Sequence, residues 1–207
     1  MHLEVYNACQ DFFKKYLEGK ENLAVLDVGA YDVNGSLRPI FEFAGELGYA
    51  ADNHGHSTSR GLSPKKNYIY HGLDISSGPN VDIVRDGNKP FPIKDGTYDA
   101  VVSSSTFEHD PQFWVTFREM VRVTKGGGYI HISTPSAGPY HAYPQDCWRF
   151  YPDAYKALSS WCPQAQLIET YIIPQTNNSN FMDNIGNFKV QRTGVQRTGV
   201  ESMVKYL

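Results

Sequence analysis

Cysteine is scarce: Cys9, Cys147 and Cys162 are the only three in 207 residues. A sparse, odd and widely spaced set excludes a disulfide framework, and without a Cys-x-x-Cys pair the commonest zinc pattern is missing too. No apolar run approaches the roughly 20 residues that span a bilayer. The N-terminus lacks the basic-then-apolar pattern of a secretory signal. Long Lys/Arg runs are absent, and the formal charge is −3 at pH 7, so no electrostatic footprint for nucleic acid is present. Neither Gly-x-Gly-x-x-Gly nor the Gly-Lys-Ser/Thr ending of a phosphate loop occurs. These absences lead to the expectation of a cytoplasmic protein with no nucleic-acid or membrane partner.

What is present begins with a strand, a glycine turn and a helix. Residues 23–26 form a short apolar run, suited to a strand buried on both faces of a parallel sheet. Asp27 follows, then Gly29 and Gly35. Glycine lets the chain turn sharply and pass close to a ligand. Residues 36–43 then suit a helix whose N-terminal amides face that ligand. This is the nucleotide-binding corner of a doubly wound α/β fold. Ahead of it, Val5, Cys9, Phe12 and Tyr16 make one stripe of a leading helix over residues 3–18, with Gly19 as its cap.

Further on, strands and helices alternate, which predicts a mainly parallel sheet with right-handed crossovers. Residues 68–75 read as a second strand ending in Asp74, residues 81–86 as a third ending in Asp86, and residues 98–103 as a fourth. A helix with Asp110 as cap and Pro111 at its first position runs to Thr124 and ends at Gly126-Gly127-Gly128. Residues 129–133 give a fifth strand, 153–161 a short helix and 166–173 a sixth strand. The expectation is one domain over residues 1–175, with its core from residue 22. Residues 176–207 form a tail, either an edge strand or a mobile end, in which Val190-Gln191-Arg192-Thr193-Gly194 is repeated at once.

Two stretches stand apart. Residues 45–67 have the composition of a long surface loop, and such loops often carry function. Asp52, His54 and His56 within it would suit a metal, but histidines in a solvated loop need none, and no metal is expected. Residues 135–152 are dense in Pro, Tyr, His and Trp. They follow the fifth strand at its C-terminal end, where ligands bind in open α/β sheets.

Four motifs together resemble the class I S-adenosylmethionine-dependent methyltransferases. They are Val25-Leu26-Asp27-Val28-Gly29; Gly72-Leu73-Asp74-Ile75; Asp86 with Pro90-Phe91-Pro92 and Asp95-Gly96-Thr97-Tyr98-Asp99; and Glu108-His109 followed by Arg118-Glu119-Met120-Val121-Arg122-Val123-Thr124-Lys125-Gly126-Gly127. The last is similar to the "EH … RVLKPGG" signature of the small-molecule members, with Thr124 and Gly126 in place of Leu and Pro. The family's denser glycine turn is replaced here by Ala30-Tyr31-Asp32-Val33-Asn34. The stretch from Tyr143 to Asp153 resembles a subgroup associated with bacterial glycan and secondary-metabolite clusters.

The resemblance implies a doubly wound, Rossmann-like, mainly parallel sheet of seven-stranded type, with helices on both faces. It implies S-adenosylmethionine as cofactor. Asp27, Gly29, Ala30, Tyr31 and Gly35 would lie by its methionine part, Asp74 by the ribose hydroxyls, and Ile75 on the adenine. Asp86 and the backbone of Gly87 would meet the adenine edge, and Ser103 would lie beside the methionine end. The implied activity is methyl transfer to a small-molecule or glycan acceptor, at an oxygen.

An oxygen acceptor needs its proton removed, and a positioned base contributes roughly 10²–10⁴-fold. His141 is the leading candidate, because an unperturbed imidazole is largely neutral near pH 7. His109 and Asp146 are the alternatives. Tyr143, Trp148, Arg149 and Tyr151 are candidates to bind the acceptor. Two other classes stay open: a nicotinamide-dependent oxidoreductase on the same fold, and a methyltransferase-like domain that binds without catalysis. A homo-oligomer is compatible with all three.

Overall fold

A computed structural model describes residues 3–33, 35–44, 63–64, 67–87, 89–174 and 182–191. Asp52, His54 and His56 lie outside these residues, as does the repeat from Arg192 onward. The elements run α1 (Leu3–Tyr16), β1 (Leu23–Val28), α2 (Arg38–Glu42), β2 (Phe43–Ala44), β3 (Ser63–Pro64), β4 (Tyr68–Asp74) and β5 (Ile83–Val84). Then follow β6 (Tyr98–Ser104), a 3₁₀ turn (Phe107–His109), α3 (Phe113–Val123), β7 (Thr124–Ala137), α4 (Pro152–Trp161), β8 (Ala165–Pro174) and β9 (Met182–Val190).

Seven strands form one sheet in the order β5-β4-β1-β6-β7-β9-β8, while β2 and β3 pair separately. β1 is parallel to both β4 and β6. Its side chains alternate between two cores. Leu23 and Val25 face α1 and α2, packing with Phe12, Phe13, Ile40 and Phe41. Leu26 and Val28 face the opposite layer, with Phe117 and Met120 of α3 and Tyr155 and Leu158 of α4. A strand buried on both faces therefore reads as a continuous apolar run, and the helices cover both faces of the sheet. The fold is a Rossmann-like, doubly wound α/β sandwich. α1 stops where Gly19 takes φ +83, a conformation that costs glycine little. Among the described residues no helix is long and apolar enough to cross a membrane.

Several boundaries differ from the sequence expectation. The fifth strand is β7, fourteen residues long, and it absorbs Gly126-Gly127-Gly128 instead of starting after them. α3 begins at Phe113, and Asp110 acts one step earlier, its Oδ1 accepting the Gln112 amide at 2.8 Å. Residues 182–190, expected at an edge if extended, form an interior strand. β9 runs antiparallel between β7 and β8 and pairs with both along its length. Gly186 is the point of closest approach: a Cβ there would fall 2.6 Å from the Tyr155 ring.

The chain goes from β1 outward to β4 and β5, then returns across the sheet to β6. The reversal leaves a crevice between the C-terminal ends of β1 and β6, the place where open α/β sheets hold ligands.

Candidate active site

A cleft of about 1320 Å³ opens at that switch point. This exceeds the roughly 300–1,000 Å³ of an ordinary ligand pocket, so it has room for two reactants side by side. Its walls come from the β1–α2 turn, the ends of β4, β5 and β6, the start of α3, and residues 141–145.

The β1 side is built around a buried acid. Asp27 is 5% exposed, yet its side chain reaches the cleft floor. The Tyr70 hydroxyl donates to its Oδ2. Burial pushes the Asp27 carboxyl up to about 7, against the easing influence of Tyr70 and the Arg38 guanidinium. Gly29 follows at φ +79, with its Cα so close to β6 that a Cβ would lie 2.0 Å from Thr106 Oγ1. Only glycine fits there.

The turn spends its amides inside the protein. Gly29 and Ala30 N–H donate to Leu73 O, Tyr31 N–H to Asp74 Oδ2, Asp32 N–H to Pro79 O, and Gly35 N–H to Asp32 Oδ1. A pyrophosphate needs free amides at this position, and these five are taken. Asn80 and Arg38 brace the same turn. Asn80 Nδ2 donates to Ala30 O at 2.8 Å, and Arg38 bonds Asn80 Oδ1 at 2.6 Å while pairing with Asp82 and Glu42. Nothing in the sequence motif pointed to these two.

At the end of β4 the Asp74 carboxylate accepts the Tyr31 amide at 3.1 Å and the Ser76 amide at 3.2 Å. Two backbone bonds fix its plane, and its remaining lone pairs face the cleft. Ile75, half exposed, stands next to it, and a Cβ on Gly87 would lie 3.7 Å from Ile75 Cγ2. Both line the cleft. Asp86 turns away and pairs with Lys89 at 3.0 Å, outside the cleft wall. Ser103 is also outside it: its hydroxyl donates to Val28 O at 2.8 Å and ties β6 to β1. The β6 contribution to the wall comes from Ser104, Ser105 and Thr106 instead. Ser105 holds φ +49, an uncommon conformation for a serine and one that concentrates at functional sites.

The opposite wall carries two imidazoles. His109 and His141 meet edge to face with ring centroids 5.0 Å apart. His109 Nδ1 lies 2.5 Å from Gln145 O, and His141 Nδ1 lies 3.1 Å from Pro139 O. A carbonyl only accepts, so both Nδ1 atoms carry the hydrogen and both Nε2 atoms keep a lone pair. Burial lowers the pKa of His109, which favours its neutral form.

Asp146 is placed to support His141. It accepts the His141 amide at 2.8 Å and a two-pronged pair from Arg149. The guanidinium holds its carboxyl well below the usual range, so it is a poor base near neutral pH. Both terminal nitrogens of Arg149 are taken by that pair and by the carbonyls of Pro139 and Trp148. Trp148 donates its indole N–H to Asp110 O at 3.0 Å and packs on Phe113 and Trp114, outside the cleft. Tyr151 is exposed at the N-cap of α4. Of the four aromatic and basic residues expected at the acceptor, Tyr143 alone lines the cleft. Sequence reasoning missed Arg85, Gln112 and Thr116 as lining residues, which no motif marks.

Fold and cleft define a protein of the Rossmann-like cofactor-binding class. A family model described as a methyltransferase domain matches residues 50–132. An uncharacterized methyltransferase of Mycobacteroides abscessus is 29% identical over 109 residues, covering 50% of this chain and 42% of its own. Another, from Mycobacterium sp. (strain JLS), is 35% identical over 81 residues, covering 39% and 31%. The chain thus matches less than half the length of these relatives. Among solved structures, the 4+2 cyclase SpnF has a TM-score of 0.61 at 10% identity, covering 89% of this chain and 81% of that one. The Burkholderia thailandensis 1,6-didemethyltoxoflavin-N1-methyltransferase, with 1,6-didemethyltoxoflavin and S-adenosylhomocysteine bound, has a TM-score of 0.58 at 12% identity, covering 90% and 78%. Likeness at this level concerns the fold, and a cyclase on it shows that fold alone does not fix activity. Over residues 50–132 the chain is thus similar to methyltransferase domains, and its fold is that of solved methyltransferase structures.

Proposed function

We propose that the protein transfers the methyl group of S-adenosylmethionine to a small-molecule or saccharide acceptor, at an oxygen. One observation carries this reading. The cleft offers two carboxylates, Asp27 and Asp74, beside a turn whose amides at Gly29, Ala30, Tyr31, Asp32 and Gly35 are already paired. That donor set suits a cofactor with an ammonium and a hydroxylated ribose and no phosphate. It does not suit a dinucleotide, which sets the nicotinamide reading aside.

Asp27 would receive the cofactor's amine, Asp74 the ribose hydroxyls, and Ile75 with Gly87 the adenine. When bound, the cofactor supplies an electrophilic methyl on a sulfonium. The chain's own residues then bind and orient the acceptor and deal with its proton. In this reading His109 and His141 stand at the acceptor half of the cleft, and Tyr143 walls it.

The test is to incubate the full chain with S-adenosylmethionine and a panel of sugars and phenols, following S-adenosylhomocysteine by mass spectrometry. Acceptor-dependent product is expected. His109→Ala or His141→Ala should lower turnover by roughly 10²-fold while cofactor affinity stays within about twofold. Tight cofactor binding without product from any hydroxylated acceptor would favour a non-catalytic domain.

A further inference from the structure

Behind the two imidazoles lies the carboxyl group of Glu108, to which no neighbouring residue among those described donates a hydrogen bond. Glu108 has no solvent exposure, and neither of its carboxylate oxygens takes part in a hydrogen bond among the described residues. Its Oε1 points at His109 Nε2 from 3.7 Å, too far for a hydrogen bond. Buried polar atoms normally have a partner, and the two oxygens of Glu108 are free to accept one.

The geometry points to a site for a divalent first-row transition-metal ion, held by Glu108, His109 and His141. One ligand atom from each of the three lies within 4.8 Å of the other two. Metal–ligand bonds of about 2.0–2.2 Å place tetrahedral neighbours roughly 3.4 Å apart, which side-chain rotation at the half-exposed His141 can reach. The tautomers are already set for it. Ligating histidines bind through one nitrogen and donate the other N–H to a carbonyl or carboxylate. Here both Nδ1 atoms face such acceptors: Gln145 O for His109, and Pro139 O with Asp146 Oδ2 at 3.4 Å for His141. Arg149, paired with Asp146, pins that outer layer in turn.

Two imidazoles with one carboxylate suit Zn²⁺ or Fe²⁺, whereas Mg²⁺ and Ca²⁺ prefer oxygen ligands throughout. Three protein ligands leave an open position, and both histidines line the cleft, so that position faces the acceptor half. An acceptor hydroxyl bound there would lose its proton to solvent more readily. The inference deepens the proposed function: the two histidines then act as ligands and the metal activates the acceptor.

The experiment uses the untagged full chain, stripped with chelator, titrated with Zn²⁺ by calorimetry and with Co²⁺ by visible absorption. One equivalent should bind, with d–d bands of a four- or five-coordinate site. His141→Ala, at an exposed position, should weaken binding by about 10²-fold or more, and Glu108→Gln should do the same while keeping the side chain's shape. S-Adenosylhomocysteine binding is measured on the same samples. No uptake of either ion, or uptake unchanged in both variants, overturns the metal site. Loss of metal with cofactor binding intact leaves the methyltransferase reading standing, and loss of cofactor binding in the wild type overturns that reading separately.

Discussion

Asp74 shows how a single side chain serves two tasks. Its two backbone bonds, to Tyr31 and Ser76, join the β1 turn to the end of β4. Its free lone pairs are what the ribose hydroxyls would meet. Hydrogen bonds to a charged group contribute roughly 1.5–3 kcal/mol each. Asp74→Ala should therefore weaken S-adenosylhomocysteine binding at least tenfold by calorimetry, with an unchanged circular dichroism spectrum. Unaltered affinity would place the ribose elsewhere. At this scale Asp27 and Asp74 were legible as cleft residues because each closes an apolar strand, whereas Asp86, read in the same way, lies outside the cleft wall. Residues 135–152 were legible as a segment but not individually. Trp148 looked like a wall of the cleft, but its indole N–H needed an acceptor and found Asp110 O on the far side of the turn. Ser103 bonds Val28 O between β6 and β1, since side chains alternate along a strand, and Ser104, Ser105 and Thr106 line the cleft beside it.

β9 is the element the sequence concealed. Its buried positions include Asp183, Asn184 and Asn187, which break the apolar alternation that marks a strand. Asn184 Oδ1 accepts from the Thr170 hydroxyl, while its Nδ2 has no hydrogen-bond partner among the described residues. Asn187 bonds His131 at 2.7 Å on one side and Glu169 at 2.7 Å on the other, joining β7 and β8 through β9. Phe188 supplies the apolar share: it is fully buried and packs against Phe117 at 5.0 Å and Tyr155 at 6.0 Å. Phe188→Ala should cost about 3–5 kcal/mol in urea unfolding. A cycle with Phe117→Ala should show coupling of roughly 0.5–1.5 kcal/mol, the usual worth of an aromatic pair. A loss below about 1 kcal/mol would mean that β9 is not interior. By contrast, α3 and the parallel strands β1, β4, β6 and β7 were legible from apolar runs and periodicity, though β7 starts earlier, at Thr124, and carries its glycines in the irregularity between its pairings with Tyr98 and Ala100.

Across the whole molecule, three buried titratable groups set opposing pH responses. Burial lowers His131 to about 4, so its folded form stays neutral where the unfolded chain takes a proton. The stability it contributes is present above about 6.5 and is lost as pH falls from there towards 4. Asp27 and Glu108 are raised by burial to about 7 and about 8. Their contribution is full below about 4 and is lost as pH rises through 7 and 8. His131→Gln should therefore flatten the fall in stability between pH 6.5 and 4 by about one proton, on the order of 3 kcal/mol over that window. Equal slopes in wild type and variant would mean that His131 is accessible and charged. Asp27 and Asp74 line the cleft with His109 and His141, and the proposed cofactor would present its ammonium and ribose to the two acids. The most direct measurement is calorimetric titration of the full chain with S-adenosylhomocysteine, alongside NAD⁺ as a control. The account predicts one site for S-adenosylhomocysteine, a raised melting temperature and no heat from NAD⁺; absence of binding at millimolar S-adenosylhomocysteine, or a preference for NAD⁺, would contradict it.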